Sequence, residues 1–283
     1  MNVLKAYRSL TAEQKRTLRE KRLEMNRPIG PLLEFLKPLG ACDAMADKVR
    51  TKLGCTFGLG IVVAIVLVIL FSNLGWGPLT LVAMAAFVAV LVGAGVLWGW
   101  TRGIDVSNNF RQFALPVLTV LREDFDPESP VHISVDLSSA TSAAKKTGEG
   151  APYKHGAYYK IIDSTYVDPW MSLDGVLVDG TKLKWSVTDK IRERKKTKRN
   201  PRGKIKTKTK YKKKSEIEVA MGLRKKTYEM TATEGQMSGD EKRHSVKLER
   251  EVVSASLDPI DPRALLDLVA DVFRSAAPAK EGA

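Results

Sequence analysis

Between Lys190 and Lys214 the chain reads KIRERKKTKRNPRGKIKTKTKYKKK, fifteen lysines or arginines against a single acid, Glu193. Side chains of this kind at this density bind anions. Arginine grips carboxylate or phosphate with a planar fork, and lysine acts as a point charge. In the middle, Asn200-Pro201-Arg202-Gly203 supplies a type I turn followed by a glycine placed for a bulge. The run is therefore expected to fold back as a β-hairpin of about eleven residues a side, roughly 35 Å long at about 3.3 Å per residue.

The register of that hairpin follows from the residues before and after it. A three-residue loop over 201–203 sets Leu183 opposite Met221, Trp185 opposite Val219 and Val187 opposite Ile217. A two-residue loop would set Trp185 and Val187 opposite glutamates. Burial of one face selects the first, since a slip of one turns every side chain over. Arg192 then faces Lys212, Arg194 faces Lys210, Lys196 faces Lys208 and Lys198 faces Lys206, so eight cations share one face. With Arg199, Arg202 and Lys204 at the tip they form the candidate anion-binding set. Like charges directly opposite weaken a strand pair by a few tenths of a kcal/mol each, so the arm gains from an anion.

Anionic lipid or an acidic protein is the expected partner. Only Tyr211 interrupts the cations, so the interleaved aromatics on which single-stranded bases stack are missing. Nucleic acid is the second reading. The tip Arg199-Asn200-Pro201, followed closely by Gly203, resembles the β-arm tips of the HU family of DNA-bending proteins, which implies a proline that wedges between base steps. The resemblance covers about five residues, lacks the family's Thr before the Gly, and has no HU-like helical body beside it. The plain alternative to any ligand is that lysines guard an exposed strand against edge-to-edge aggregation, for which two or three charges suffice.

Other chemistry is sparse. His132, His155 and His244 lie far apart with no Cys, Asp or Glu at ligand spacing. Asp163, Asp168, Asp174 and Asp179 recur, but Asp168-Pro169-Trp170 and Asp179-Gly180 read as turns rather than a cation site. There is no glycine-rich phosphate loop and no nucleophile elbow, so neither a cofactor nor a metal is expected. The expected class is a non-enzymatic binding or scaffold protein, with an enzyme assembled only by the fold as a third reading. Cys42 and Cys55 are the only cysteines, which suits a reducing compartment. Leu39-Gly40-Ala41-Cys42 follows a segment too polar for a lipoprotein signal, and the charged first 25 residues hold no signal peptide.

The elements that carry the arm fall into two kinds. The chain has 283 residues and a formal charge of +14, yet Leu53 to Trp100 contain no Lys, Arg, Asp or Glu. Residues 54–71 and 79–100 are each apolar enough and long enough to cross a bilayer, joined by the uncharged turn 72–78. A transmembrane hairpin is expected over 53–100. Lys48, Arg50, Lys52, Arg102 and Arg111 flank it, so the positive-inside rule puts both termini in the cytoplasm of an inner or plasma membrane. Trp76, Trp98 and Trp100 match interfacial belts, and Ala85, Ala89 and Gly93 form a small-residue stripe that suits close packing or a homodimer.

Residues 1–52 are expected to be charged or amphipathic cytoplasmic helices. One opens at the capping box Thr11-Ala12-Glu13-Gln14 and runs to about Asn26; a short one over 31–37 lies in the membrane interface. A helical stalk, kinked at Pro116, occupies 101–125. From 126 to 258 the period turns to two. Strands are predicted over 131–137, 157–163, 172–178, 181–199, 204–221, 226–233 and 245–254, with a loop over 138–154 and a two-residue turn at Asp179-Gly180. The result is an α+β chain whose antiparallel meander closes as a sandwich or small barrel, with a helix after Asp261-Pro262-Arg263 in 259–283.

Overall fold

A computed structural model describes residues 3–73, 77–231, 236–237 and 242–279. The expected turn lies partly outside these, and with it Trp76. The chain mixes helices with one large antiparallel sheet and divides into two compact units, 1–20 with 38–105, and 21–37 with 106–283.

In the first unit, α1 (Val3–Arg8) and α2 (Ala12–Glu20) precede the long apolar helices. The capping box forms as expected: Gln14 N–H donates to Thr11 Oγ1 at 3.2 Å, and Thr11 N–H to Gln14 Oε1 at 2.8 Å. The helix does not reach Asn26. Lys21 takes φ 56°, which ends it, and Arg22–Arg27 becomes strand β1. The alternation in RLEMNR decides this: Leu23 and Met25 are buried while Arg22, Glu24 and Asn26 are exposed.

Helix α3 (Ile29–Asn73) is continuous for 45 residues, and α4 spans Gly77–Gly103. The segment assigned to a membrane interface is the beginning of α3, and Leu32, Leu33, Phe35 and Leu36 there are buried by protein. Beyond Leu53 most of the described side chains of the two long helices turn outward. Half-covered positions recur at Phe57, Gly60 and Ala64 on α3 and at Phe87, Leu91 and Ala94 on α4, whereas Ala85, Ala89 and Gly93 are exposed.

The second unit is built on β2 (Val131–Asp136), β5 (Tyr158–Val176), β6 (Lys182–Arg199), β7 (Ile205–Arg224) and β10 (Arg243–Ser254), with short β3 (Lys146–Glu149), β4 (Tyr153–His155) and β9 (Gln236–Met237). Strand order is β1-β2-β5-β6-β7-β10-β9, with β3 and β4 also on β5. Among the described residues this is an open path, not the closed sandwich or barrel expected, and helical segments cover one face. Phe113 stands edge-on to Trp170 at 5.5 Å, Phe125 meets Trp185 at 6.4 Å, and α6 (Arg263–Arg274) lies on β7 and β10 through Leu265, Leu268, Val269 and Val272. A one-faced sheet needs only that layer, and its other face stays polar.

Two predicted strands and the turn between them are one 19-residue strand, β5. Pro169 pairs with Thr188 and Met171 with Val187, so Trp170 is an extra residue in a bulge. The bulge turns both Trp170 and Met171 into the core. Proline fits here because a bulge leaves its missing N–H without a ladder partner. The next turn also differs from expectation. Gly180 N–H donates to Leu177 O and Leu177 N–H to Thr181 O, both 2.8 Å, with Gly180 at φ 77°. That is a three-residue loop ending in a glycine bulge, the same construction found at 200–204.

The expected loop 138–154 carries β3 and β4, and among the described residues of 226–233 strand is found at β8 (Tyr228–Met230), paired with β11 (Ala276–Pro278). The stalk expected to kink at Pro116 is broken earlier, ahead of residue 108. From 108 to 123 the chain stays helical: a π-turn over Phe110–Ala114, in which Leu115 N–H donates to Phe110 O, leads directly into α5 (Leu115–Val120), which carries Pro116.

Candidate anion-binding arm

The arm is the distal half of β6 and β7, and it has the predicted register throughout: Arg192 faces Lys212, Arg194 Lys210, Lys196 Lys208 and Lys198 Lys206. Gly203 N–H donates to Asn200 O at 2.8 Å, and Gly203 sits at φ 80°. The arm is not a free two-stranded ribbon, however. Strand β5 accompanies β6 as far as Lys160 opposite Thr197. On the other side β10 leaves β7 at Ser254 opposite Lys213. Among the described residues β7 is thus an open edge from Ile205 to Lys212.

The cations divide into two groups. At the base, Asp163 of β5 receives Arg192 Nη2 at 2.6 Å and the Nε and Nη2 of Arg194 at 2.6 and 2.9 Å. Arg194, against the opposing effect of burial, and then Arg192 hold that carboxyl well below the usual range. Lys190 and Lys214 share Glu216, and Lys214 also meets Glu251. Towards the tip the acids stop. Lys196 lies 5.4 Å over the Tyr158 ring. Lys198, Arg199, Arg202, Lys204, Lys206, Lys208, Lys210 and Lys212 make no ion pair among the described residues. Arg192 and Arg194 therefore belong structurally to the base, and nine of the eleven candidate cations remain available to a ligand.

On the opposite face the rows across β5, β6 and β7 change from apolar to polar. Leu173–Trp185–Val219 and Met171–Val187–Ile217 give way to Asp168–Asp189–Ser215, then Tyr166–Ile191–Lys213 and Ser164–Glu193–Tyr211. Lys213 is 1% exposed; its ammonium donates to Asp258 O and lies 3.7 Å from Asp189. Asp189 also accepts from Ser215 Oγ at 2.5 Å and Asn109 Nδ2 at 3.2 Å. Beside it Lys145 bridges Asp168 at 2.9 Å and Asp136 at 3.0 Å. Burial pushes the Asp168 carboxyl up to about 6, with Lys145 pulling the other way and Asp136 and Asp189 adding to the rise. Farther out, Glu193 accepts from Tyr166 and Tyr211, and burial followed by that carboxylate raises both phenols. These groups tie the 106–114 segment, the 143–145 turn and the 255–260 loop to the root of the arm.

Of the recurring aspartates only Asp179 serves a turn, accepting Thr181 N–H at 2.8 Å. Asp163 is the clamp, Asp168 is buried, and Asp174 faces His132 across β2 and β5. His132 and His155 are exposed, and His244 is half-buried at the far end of β10. In the first unit Asp43, Asp47 and Asp105 converge, with the Arg50 guanidinium on Asp47 and Asp105. No protein-family model matches this chain, and no curated protein or solved structure is significantly similar to it.

Proposed function

We propose that this chain is a membrane-anchored, non-enzymatic binding protein whose cationic arm takes anionic partners on the cytoplasmic side. The observation that carries the reading is the division of charge along the arm: the base is neutralised by Asp163, Glu216 and Glu251, while nine cations towards the tip have no acid partner among the described residues. A strand that needed only protection from aggregation would not sort its acids this way. Each such cation contributes about 1 kcal/mol at an anionic lipid surface, and carboxylate clusters on a protein offer the same chemistry. Anchoring is supported by α3 and α4. Their apolar stretches turn outward, with Val62, Val66, Ile69, Val90 and Val96 all more than half exposed. Such helices find their favourable surroundings in lipid, and the basic flanks favour cytoplasmic ends.

Nucleic acid remains the second reading, favoured by the exposure of Pro201 at the tip of the turn. Full-length protein in phosphatidylcholine nanodiscs tests both. It is expected to float with vesicles containing phosphatidylglycerol at low salt but not with pure phosphatidylcholine. Changing Lys198, Lys206, Lys208 and Lys210 to Gln is expected to abolish flotation. Equal behaviour of the two proteins would remove the arm from the function. DNA binding that weakens with Pro201→Ala would move the assignment to nucleic acid. For orientation, a cysteine placed at Asn73 in a Cys55→Ser background is expected to react with an impermeant thiol reagent outside intact cells, and one at Thr147 is not. The reverse pattern would invert the topology.

A further inference from the structure

The open edge of β7 combines unpaired backbone groups with a row of like charges. Strand β10 pairs with β7 only from Lys213 inwards, so Ile205–Lys212 has a partner on the β6 side alone among the described residues. An antiparallel ladder alternates bonded and non-bonded pairs. Counting from the Asn200–Lys204 bond at 2.8 Å, the even residues of β7 point their N–H and C=O groups at β6. Those of Ile205, Thr207, Thr209 and Tyr211 point outward. Side chains alternate at right angles to this. Lys206, Lys208, Lys210 and Lys212 are all exposed on one face, while the outward-bonding residues put their own side chains on the other.

We infer that this edge is a docking site for an extended acidic segment of a partner protein, which adds as a strand beside β7. This rests on the reading of the arm as an anion binder and names the partner and its conformation. Charge complementarity selects the occupant. A second copy pairing edge to edge would set lysines against lysines along the strand, so the row that excludes self-association is the row that recruits an acid. The fitting segment carries Asp or Glu at every second position, against the lysines, and threonine or small apolar residues between them. Main-chain hydrogen bonds supply affinity, and the alternating charges supply choice of partner and register. A flexible acidic tail lacking that alternation satisfies the cations without satisfying the backbone.

The test uses the full chain in phosphatidylcholine nanodiscs. The probe is a fluorescent peptide of alternating Glu and Val as long as the open edge. A control peptide has the same composition with its acids gathered at one end. The alternating peptide is expected to bind at least about tenfold more tightly than the control. Thr207→Pro with Thr209→Pro removes two outward donors and no β6 bond, a change that edge strands accept. This variant is expected to lose about tenfold for the peptide yet float with phosphatidylglycerol vesicles as before. Independently of any variant, the amides of Thr207, Thr209 and Tyr211 should exchange more slowly in wild type when the peptide is bound. Equal binding of the two peptides, or unchanged exchange at those amides, overturns strand addition. Binding to vesicles but to neither peptide also overturns it, and leaves the anion-binding arm intact. Loss of both kinds of binding removes the arm's function altogether.

Discussion

Replacing Lys213 by Met is expected to destabilise the sheet unit by about 3–5 kcal/mol. Lys213 and Asp189 are each 1% exposed, so the substitution leaves a buried carboxylate without its cation. Removing one partner of a buried pair costs about 3–5 kcal/mol, because the remaining charge keeps its desolvation penalty. Two features set where in that range the value falls. Asp189 keeps the Ser215 and Asn109 hydrogen bonds, which lowers the cost. The Asp258 carbonyl loses a charged donor, which raises it by about 1.5 kcal/mol or more. For a unit of this size the loss corresponds to a fall in Tm of roughly 6–20 °C. Near-UV circular dichroism of the full chain in mild detergent would follow it, since Trp170 and Trp185 lie in the affected core. Adding Asp189→Asn removes the stranded charge and should restore at least half of the loss. A single variant that melts with the wild type, or a double variant less stable than the single one, would show that the pair is not a buried counterion system.

Asp163→Asn releases Arg192 and Arg194 and adds one net positive charge to the arm's base. Affinity for phosphatidylglycerol vesicles should rise about three- to fivefold, at about 1 kcal/mol per charge. The stability cost should stay near 1 kcal/mol, because Arg192 and Arg194 are both at least a third exposed. Weaker vesicle binding by this variant would contradict the clamp. Asp168 gives a pH signature of opposite sign to most acids. Its folded value of about 6 lies above the ordinary carboxylate value, so the folded state holds the proton more tightly. Stability contributed by protonation is therefore complete below about pH 4 and is lost as pH rises through about 6, up to about 3 kcal/mol in all. Melting profiles across that window should flatten in Asp168→Asn; an unchanged slope would assign the titration elsewhere.

The hairpin register was legible because it is over-determined. Trp185, Val187, Ile217 and Val219 need one face, and only a three-residue loop allows it. The capping box and α6 were legible for the same reason, as several local signals agree. The misses share a cause too. Asp168-Pro169-Trp170 carries turn residues, yet a bulge uses those residues to keep a strand going. RLEMNR alternates, but it follows a strong helix start and becomes a strand only because β2 offers an edge. Asp163 stands out in the sequence only as one of four recurring aspartates, and Asp189 not at all, since their roles depend on partners 31 and 80 positions away. The open sheet is not legible because the apolar stripes of the terminal helix and of the 110–120 segment do not show in sequence that together they cover a whole face.

The repeating Lys-Thr pattern of β7 also bears on how the arm can change over time. From 204 to 210 the sequence is nearly identical to itself when moved by two positions, so the arm alone cannot tell one even register from the next. The distinction is made at the root, by the tryptophan row and the Asp189–Ser215 contact, and at the tip by the glycine turn. Between those two fixed ends the strands behave like a ruler graduated in dipeptides. Inserting or deleting one dipeptide in each strand beyond the Lys160–Thr197 pair preserves both faces, the turn and the root, and alters only the span. Reach is thus a quantity that mutation can adjust in steps of about 7 Å without passing through a misfolded intermediate sequence.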